Sequence, residues 1–523
     1  MSHTYYKKPK LKKNRRKRRK IEKRAASAQK RTGKRARGVK QNSSKKSASK
    51  NSVTKYVIII VGLILALGFI FGRLDLDKYL EFDNIFEKTS QISPSPPQLA
   101  SPKKEEGLPA PTSEEKARQD RLIEAILNKK DEKLLALSAS QAGVSQKKLV
   151  SVIEDANAYM HKMLDNKGKF TYRHNLNPDV RVPPKYNMLR HAGSIYSMVM
   201  YEQALGDGSS IPQIIQASNY LKKTSLKPVG NKGMLGIWSY DRITGSRDPD
   251  QVKLGGAGLS LVALLSTEQL AKGTSSLNEL RQLGEFILYM QKRDGSFYSK
   301  YIPTKGGRDA SWISLYYPGE AALGLVMLYE FDSNPKWLMG AAKALAYLSS
   351  IRIGKKRVEA DHWALLASAR LLPLYDRLET PPVDKQMILE HAIQICGSIL
   401  DQAARNILKE GQYGCFGFDG RTTPTATRLE GLQAALTFIP TSHNILHERI
   451  RASVDLGIAF LMDAQIKEGT HKGAILRGTR QLESGMSEKD LRNFNRRATE
   501  FRIDYVQHPL SAFIQYGEMN GMM

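Results

Sequence analysis

Residues 280–298 read LRQLGEFILYMQKRDGSFY, and residues 320–330 read EAALGLVMLYE. In the first stretch apolar residues recur every three or four positions, which is the pattern of a helix that buries one face. The second stretch is apolar on nearly every side, as is typical of a helix surrounded by other helices. The two stretches therefore predict an outer helix followed by an inner helix.

The same pairing recurs six times between residues 148 and 523. The amphipathic segments are 149–164, 212–222, 277–292, 335–351, 384–406 and 448–466. The more apolar or small-residue-rich segments are 190–205, 255–270, 318–331, 362–378, 427–438 and 505–516. Strict alternation with few strand signals predicts an all-α domain, an (α/α)6 toroid with six inner helices inside six outer ones. An open helical solenoid and two smaller bundles are the alternatives.

Residues 280–298 and RASVDLGIAFLMDAQIKEG (451–469) resemble the helix, glutamine and glycine-aromatic repeats of terpenoid-cyclase and prenyltransferase toroids. The six-pair layout equally resembles six-hairpin glycosidases, polysaccharide lyases and sugar epimerases. The Asp-x-Asp-Asp and Asp-Asp-x-x-Asp motifs of terpene chemistry are missing. The resemblance therefore implies a carbohydrate-active toroid, a hydrolase, lyase or epimerase.

The charge of the chain is concentrated at its N-terminus. The protein has 523 residues and a net charge of +30. Residues 1–55 hold 23 Lys and Arg and one acidic residue, whereas residues 56–523 hold 58 basic and 50 acidic residues. A cationic segment with so little apolar content predicts a disordered tail. We expect this tail to meet anionic lipid; nucleic acid is disfavoured because only two aromatic residues could stack on bases.

Residues 56–72, YVIIIVGLILALGFIFG, contain no charge. Seventeen helical residues span roughly 26 Å, enough for a transmembrane helix. The basic tail before it predicts a cytoplasmic N-terminus and a periplasmic or extracellular domain, in a single-pass protein of the inner (plasma) membrane. Residues 73–112 form the predicted stalk, proline-rich in its second half, and residues 113–147 a charged helical bridge.

Polar residues and glycines gather where the predicted inner helices begin. In a toroid these starts open on one face, and helix N-termini favour anions there. The residues are Arg190, His191, Gly255, Gly256, Glu320, Asp361, His362, Arg428, Glu430, Asp504, Tyr505 and His508. The long connections on the same side add Trp238, Tyr240 and Trp312 as flat apolar surfaces for sugar rings.

Two chemistries fit these residue types. Glu320 and Asp504, with Asp361 or Glu430 as substitutes, would supply the two carboxyl groups of a glycosidase. Alternatively Tyr505 with His191 or His362 would move a proton while an arginine holds a uronic-acid carboxylate, as elimination or epimerisation requires. Substrate would be bound by the remaining polar and aromatic side chains: Arg190, Arg428, Glu430, Trp238, Tyr240, Trp312 and His508.

Several of these residues also have structural interpretations. Asp361 and Asp504 stand where acidic helix caps are common, and histidines on apolar helices are often core residues. A metal held by Asp361, His362 and His191 is conceivable, but we predict none, and no motif for a cofactor, zincin or phosphate loop occurs. Cys396 and Cys415 could form an extracytoplasmic disulfide or remain thiols.

The sequence thus predicts a membrane-anchored cell-envelope protein whose external toroid acts on or binds a polysaccharide. The rival interpretation is a non-catalytic scaffold that binds a polymer or another protein of an envelope assembly. A third is an enzyme for lipid-linked substrates.

Overall fold

A computed structural model describes residues 111–140, 143–183 and 185–523 of the chain. The predicted tail, the predicted span 56–72 and nearly all of the predicted stalk lie outside the described residues. Among the described helices, none combines the length and the apolar character needed to cross a membrane.

The described residues form sixteen α-helices, and the domain is predominantly helical. In chain order they are α1 (Ser113–Leu127), α2 (Glu132–Ser140), α3 (Gln146–Lys162), α4 (Met188–Ala204), α5 (Ile211–Ser225), α6 (Asp241–Thr244), α7 (Leu254–Leu270), α8 (Leu277–Met290), α9 (Tyr317–Asp332), α10 (Pro335–Arg352), α11 (His362–Leu371), α12 (Lys385–Ala403), α13 (Thr422–Leu436), α14 (Asn444–Ala464), α15 (Glu488–Ala498) and α16 (Ile503–Met519).

Six of these helices form a closed inner ring. Helix α4 packs against α7, α7 against α9, α9 against α11, α11 against α13, α13 against α16, and α16 returns to α4. The six predicted outer helices, α3, α5, α8, α10, α12 and α14, lie around them. The (α/α)6 toroid is therefore confirmed, and closure of the ring rules out an open solenoid.

Burial follows the two predicted helix types. The outer helix α8 buries Leu280, Leu283, Phe286, Ile287 and Met290, a spacing of three or four residues that lies along one face. The inner helix α7 buries every residue from Leu254 to Glu268. An apolar helix can be surrounded in this way because it has no polar face that must reach water.

Short strands are more numerous than the sequence suggested. Five of them form an antiparallel sheet in chain order, and two others pair separately. They are β1 (Arg173–Asn175), β2 (Leu226–Val229), β3 (Met234–Ser239), β4 (Gln251–Lys253), β5 (Lys300–Ile302), β6 (Gly307–Asp309) and β7 (Glu500–Arg502). Most have three residues, too few to produce a recognisable two-residue alternation.

The predicted bridge is part of the helical domain. Helix α1 packs against α12, and α2 packs against α14. Ile126 of α1 is buried and sits on Gly397 of α12, where a β-carbon would lie 2.7 Å from its Cδ1. Buried Gln119 accepts a hydrogen bond from the backbone N–H of Gly354 at 2.7 Å. These contacts anchor α1 to the outer ring.

Candidate active site

Neighbouring inner helices pack closely around the predicted site residues, although α13 begins at Thr422, so Glu430 lies in its third turn and not at its start. Gly255 in the first turn of α7 lies against α9, so close that a β-carbon there would stand 1.9 Å from Oε2 of Glu320. Gly431 of α13 similarly faces His362, the first residue of α11. Glycine at these positions allows the ring to carry large polar side chains between tightly packed helices.

Three side chains from successive inner helices form the histidine cluster: His362 of α11, Glu430 of α13 and His508 of α16. Nδ1 of His508 lies 2.8 Å from Oε2 of Glu430. The ring centroids of His362 and His508 are 5.8 Å apart. One nitrogen from each histidine and one carboxylate oxygen of Glu430 all lie within 4.8 Å of one another. All three are predicted site residues, but the sequence did not indicate that they meet.

His362 is the chemically unusual member of the histidine cluster. It is 4% exposed, and neither ring nitrogen has a hydrogen-bond partner. Burial, together with the nearby His508 and Arg428, holds its pKa well below the usual value. Leaving a buried polar group unpaired costs free energy, so both nitrogens can gain a hydrogen bond from a bound molecule or water.

Glu430 is buried as well, and its pKa is raised by burial, against the effect of its contacts with His508 and Ser511. A carboxylate bonded to one imidazole nitrogen orients the ring and fixes which nitrogen carries the proton. Glu430 therefore orients His508 and is not paired with the neighbouring Arg428. The Arg428 guanidinium instead donates to Oε1 of Gln402 at 3.1 Å.

Glu320 lies in the first turn of α9 and is also buried. Its Oε2 has no hydrogen-bond partner. Burial, and then the charge of Asp361, raise its pKa to about 8, although Arg190 acts in the opposite direction. Glu320 therefore keeps its proton at neutral pH and can donate it, which fits the predicted acid.

Asp504 is ionised but fully engaged. Its carboxylate accepts hydrogen bonds from Arg190 Nε at 2.9 Å and from Arg502 Nε and Nη2 at 2.5 and 2.9 Å. Burial alone would raise the pKa of Asp504, but Arg502 and Arg190 lower it to about 2. Both oxygens are used by arginines, so Asp504 is poorly placed to serve as the predicted base.

Asp361 and His191 hold the fold together. One oxygen of Asp361 caps α11 through the Ala364 N–H, and the other pairs with Arg352 at 3.2 Å. Both ring nitrogens of His191 are occupied, by the Tyr186 hydroxyl at 2.8 Å and the Ala217 carbonyl at 2.9 Å. Each polar side-chain atom of these two residues already has a partner in the fold, and their catalytic role stays a prediction.

Tyr505 and the predicted aromatic residues Trp238, Tyr240 and Trp312 have partners of their own, whereas Tyr316, at the end of one connection, packs edge-on against His362 with ring centroids 5.5 Å apart. The Tyr505 hydroxyl donates to Oε1 of Glu500 at 3.2 Å. Trp238 and Tyr240 stack in parallel, with ring centroids 5.7 Å apart. Trp312 packs edge-on against Tyr317, in the first turn of α9 that also carries Glu320.

Some residues that shape the site were not predicted from the sequence. Arg502 holds Asp504, and its position two residues earlier, directly before α16, was an available signal. Arg352, the partner of Asp361, ends an outer helix, and nothing in its local sequence marks it. Lys253 and Lys300 lie opposite each other on β4 and β5, a pairing that depends on the unpredicted sheet.

The histidine cluster is also the place where this toroid could hold a metal ion. Two imidazoles and a carboxylate are a common ligand set for zinc. The three residues considered from the sequence do not provide such a set, because Asp361 and His191 are engaged elsewhere. Only His362 belongs to both groups.

No known family profile matches this sequence, and no curated protein matches it. Solved structures do match. The cellobiose 2-epimerase of Bacillus thermoamylovorans aligns with a TM-score of 0.50 at 11% identity, over 72% of this chain and 99% of that one. A D-mannose isomerase gives 0.49 at 12% identity, over 72% and 98% of the two chains. An α-1,6-mannanase of Salegentibacter gives 0.46 at 12% identity, over 71% and 99%. The similarity to the epimerase places the chain among (α/α)6 toroids, as the resemblance implied.

Proposed function

We propose that the toroid is a carbohydrate-active enzyme that moves a proton to and from a sugar carbon, as an epimerase, isomerase or lyase does. The main support is that His362 is buried beside the His508–Glu430 pair and that neither of its ring nitrogens has a hydrogen-bond partner. Fold likeness to a cellobiose epimerase agrees with this reaction class.

Two imidazoles in different environments suit a reaction that removes a proton and returns one. When the Nδ1–H of His508 donates to Glu430, its Nε2 carries the lone pair and acts as the base. His362, kept neutral by burial, has one N–H to donate and one nitrogen to accept. Arg190, Arg428 and protonated Glu320 are the nearby groups that can orient the sugar or stabilise negative charge.

Solvent exchange tests this proposal even when the product is unidentified. The full-length protein is incubated with a panel of neutral and acidic sugars in D2O, and deuterium at carbon is followed by NMR. We expect His362→Gln and His508→Gln to lower exchange by about 10²-fold or more, the usual contribution of a general acid or base. His443→Gln is the matched control, because His443 precedes the outer helix α14.

Binding of a sugar without exchange would refute the enzyme and favour the non-catalytic scaffold. Loss of exchange on treatment with a chelator would show that the histidine cluster works by holding a metal ion rather than by direct proton transfer.

Hydrolysis is a second candidate, favoured by one observation. The pKa of Glu320 is raised to about 8 and that of Asp504 is lowered to about 2, and such a separation is typical of an acid and its ionised partner. Release of new reducing ends that is lost in Glu320→Gln but kept in His362→Gln would establish a glycosidase. Retention of full hydrolysis in both Glu320→Gln and Asp504→Asn would eliminate the two-carboxylate mechanism.

The cellular setting is proposed from the sequence. Residues 56–72 would anchor the protein in the inner membrane, the basic tail would meet anionic lipid in the cytoplasm, and the toroid would reach an envelope polysaccharide or envelope protein partners outside. Reporter fusions at residue 50 and after residue 523 test this topology. Two cytoplasmic ends would contradict it.

A further inference from the structure

The two ends of the toroid differ strongly in charge. The connections that lead from an outer to an inner helix hold 30 Lys and Arg against 16 Asp and Glu. The connections that lead from an inner to an outer helix hold 2 basic and 4 acidic residues. The first set comprises residues 163–187, 226–253, 291–316, 353–361, 404–421 and 465–502, and the second 205–210, 271–276, 333–334, 372–384 and 437–443. We call the first set the basic end.

The inner helices add to the positive electrostatic potential at the basic end. All six inner helices begin at the basic end, and the N-terminus of a helix carries a partial positive charge. Fixed charges of one sign around a concave entrance raise the local concentration of ligands of the opposite sign. The basic end is therefore attractive to anions.

Lys253 and Lys300 form a lysine pair at the basic end. They face each other directly on neighbouring strands β4 and β5, and Lys253 immediately precedes the inner helix α7. Like charges at such cross-strand positions destabilise a sheet. Burial, and then the charge of Lys300, lower the pKa of Lys253 to about 8. Asp248 offsets part of this repulsion, since it acts on both lysines, and a bound anion would offset more of it.

An aromatic ring lies beside the lysine pair. Nζ of Lys300 lies 4.7 Å from the ring centre of Trp312, which packs against the start of α9. A half-buried lysine pair beside an indole suits a ligand with both a carboxylate and an apolar sugar face. A flat lipid surface would have to enter the fold to reach it.

We infer that the polymer bound at the basic end is an acidic polysaccharide, with a sugar carboxylate held between Lys253 and Lys300. The inference rests on the proposed function and deepens it, because it names the chemical class of the sugar polymer on which the toroid would act. Binding itself does not depend on proton transfer.

Site-resolved lysine labelling of the full-length protein tests this inference. The probe is hexagalacturonate, and its methyl ester is the matched ligand, which has the same sugar chain without the charge. We expect hexagalacturonate to protect Lys253 and Lys300 from acylation, measured by mass spectrometry, and to leave exposed Lys272 at the opposite end unchanged. Because the readout is local, binding of the probe to the basic tail does not affect it.

Paired charge variants supply the affinity test. K253Q/K300Q should raise the Kd for hexagalacturonate about tenfold. K272Q/R377Q, which removes two exposed charges at the opposite end, should match the wild type. Thermal melting of both variants checks that they are folded.

Equal protection by the methyl ester, or no protection by either ligand, would overturn the inference. Equal protection by an oligothymidylate or by anionic vesicles would overturn it in favour of nucleic acid or lipid. Protection by hexagalacturonate in a protein that shows no deuterium exchange would uphold the inference while refuting the proposed function.

Discussion

Glu320 and Asp504 are both buried carboxyl groups at the starts of inner helices, yet they carry opposite charge states. Asp504 has two arginines within hydrogen-bond distance, and Glu320 has an oxygen without a partner. The nearest cations, rather than burial, decide which of two buried acids is ionised.

The pH dependence of stability should reveal Glu320. Its pKa is about 8 in the folded protein and 4.5 as the reference value, so the folded state retains a proton that the unfolded state loses between these values. The free energy of unfolding should therefore fall as pH rises from 4.5 to 8, by up to about 1.4 kcal/mol per pH unit. Urea denaturation at pH 5, 6, 7 and 8 measures the slope. Glu320→Gln should remove this slope, whereas the control Glu410→Gln, at an exposed position, should keep it. Identical slopes in the wild type and both variants would contradict the raised pKa of Glu320.

Asp504 should behave in the opposite way. Its pKa falls from 3.8 to about 2 on folding, so its stabilising effect is complete above pH 3.8 and is lost as pH falls toward 2. Asp504→Asn leaves Arg190 and Arg502 without their shared carboxylate. Loss of one partner from a buried ion pair costs about 3–5 kcal/mol, which chemical denaturation at pH 7 would detect. A variant as stable as the wild type would show that the ion pairs contribute little.

At the scale of a helix, two adjacent glycines of α7 have different roles. A β-carbon at Gly255 would lie 1.9 Å from Glu320 Oε2 and 2.3 Å from the Tyr317 ring. At Gly256 the nearest atoms would be 3.9 Å away. Both glycines are predicted site residues, but only the packed structure distinguishes them.

Alanine substitutions at these glycines form a matched pair. Gly255→Ala should destabilise the protein by about 1–3 kcal/mol through overpacking, and should displace Glu320. Gly256→Ala should be neutral or stabilising by roughly 0.5–1 kcal/mol, because alanine favours the helix. Thermal and urea denaturation provide the comparison, and equal effects at the two positions would contradict the packing of α7 on α9.

At the scale of the whole domain, helix α1 of the predicted bridge packs on the outer ring. Its isoleucines Ile123 and Ile126 are buried, and Ile126 lies on α12. Helix α2 covers α14 in the same way. The charged helical sequence of residues 113–147 predicted a bridge, and within it α1 directs its isoleucines toward the ring.

Substitution of Ile126 tests this docking. Ile126→Ala should lower the free energy of unfolding by about 2–4 kcal/mol, because it leaves a cavity between α1 and α12. Glu132→Ala, at an exposed position of α2, should change it by less than about 0.5 kcal/mol. Limited proteolysis should cleave Ile126→Ala near α1 first, and unchanged stability and cleavage would mean that α1 does not contribute to the domain.

The periodicity of the chain by itself determined the order and type of the twelve ring helices. Burial on one face or on all faces leaves a local periodic pattern, and this pattern distinguished α8 from α9. Long apolar helices therefore defined the toroid, whereas three-residue strands such as β4 were too short to leave a signal.

Tertiary structure alone decided which polar residues meet. His508 pairs with Glu430 across 78 positions because α13 and α16 are neighbours in the ring. Arg190 reaches Asp504 across 314 positions because the ring returns its last inner helix to its first. Packing around His191 occupies both of its nitrogens through Tyr186 and Ala217, whereas those of His362 have no partner. Periodicity reports what a helix buries, but the charge state of a buried acid or histidine depends on neighbours that only the closed ring brings together.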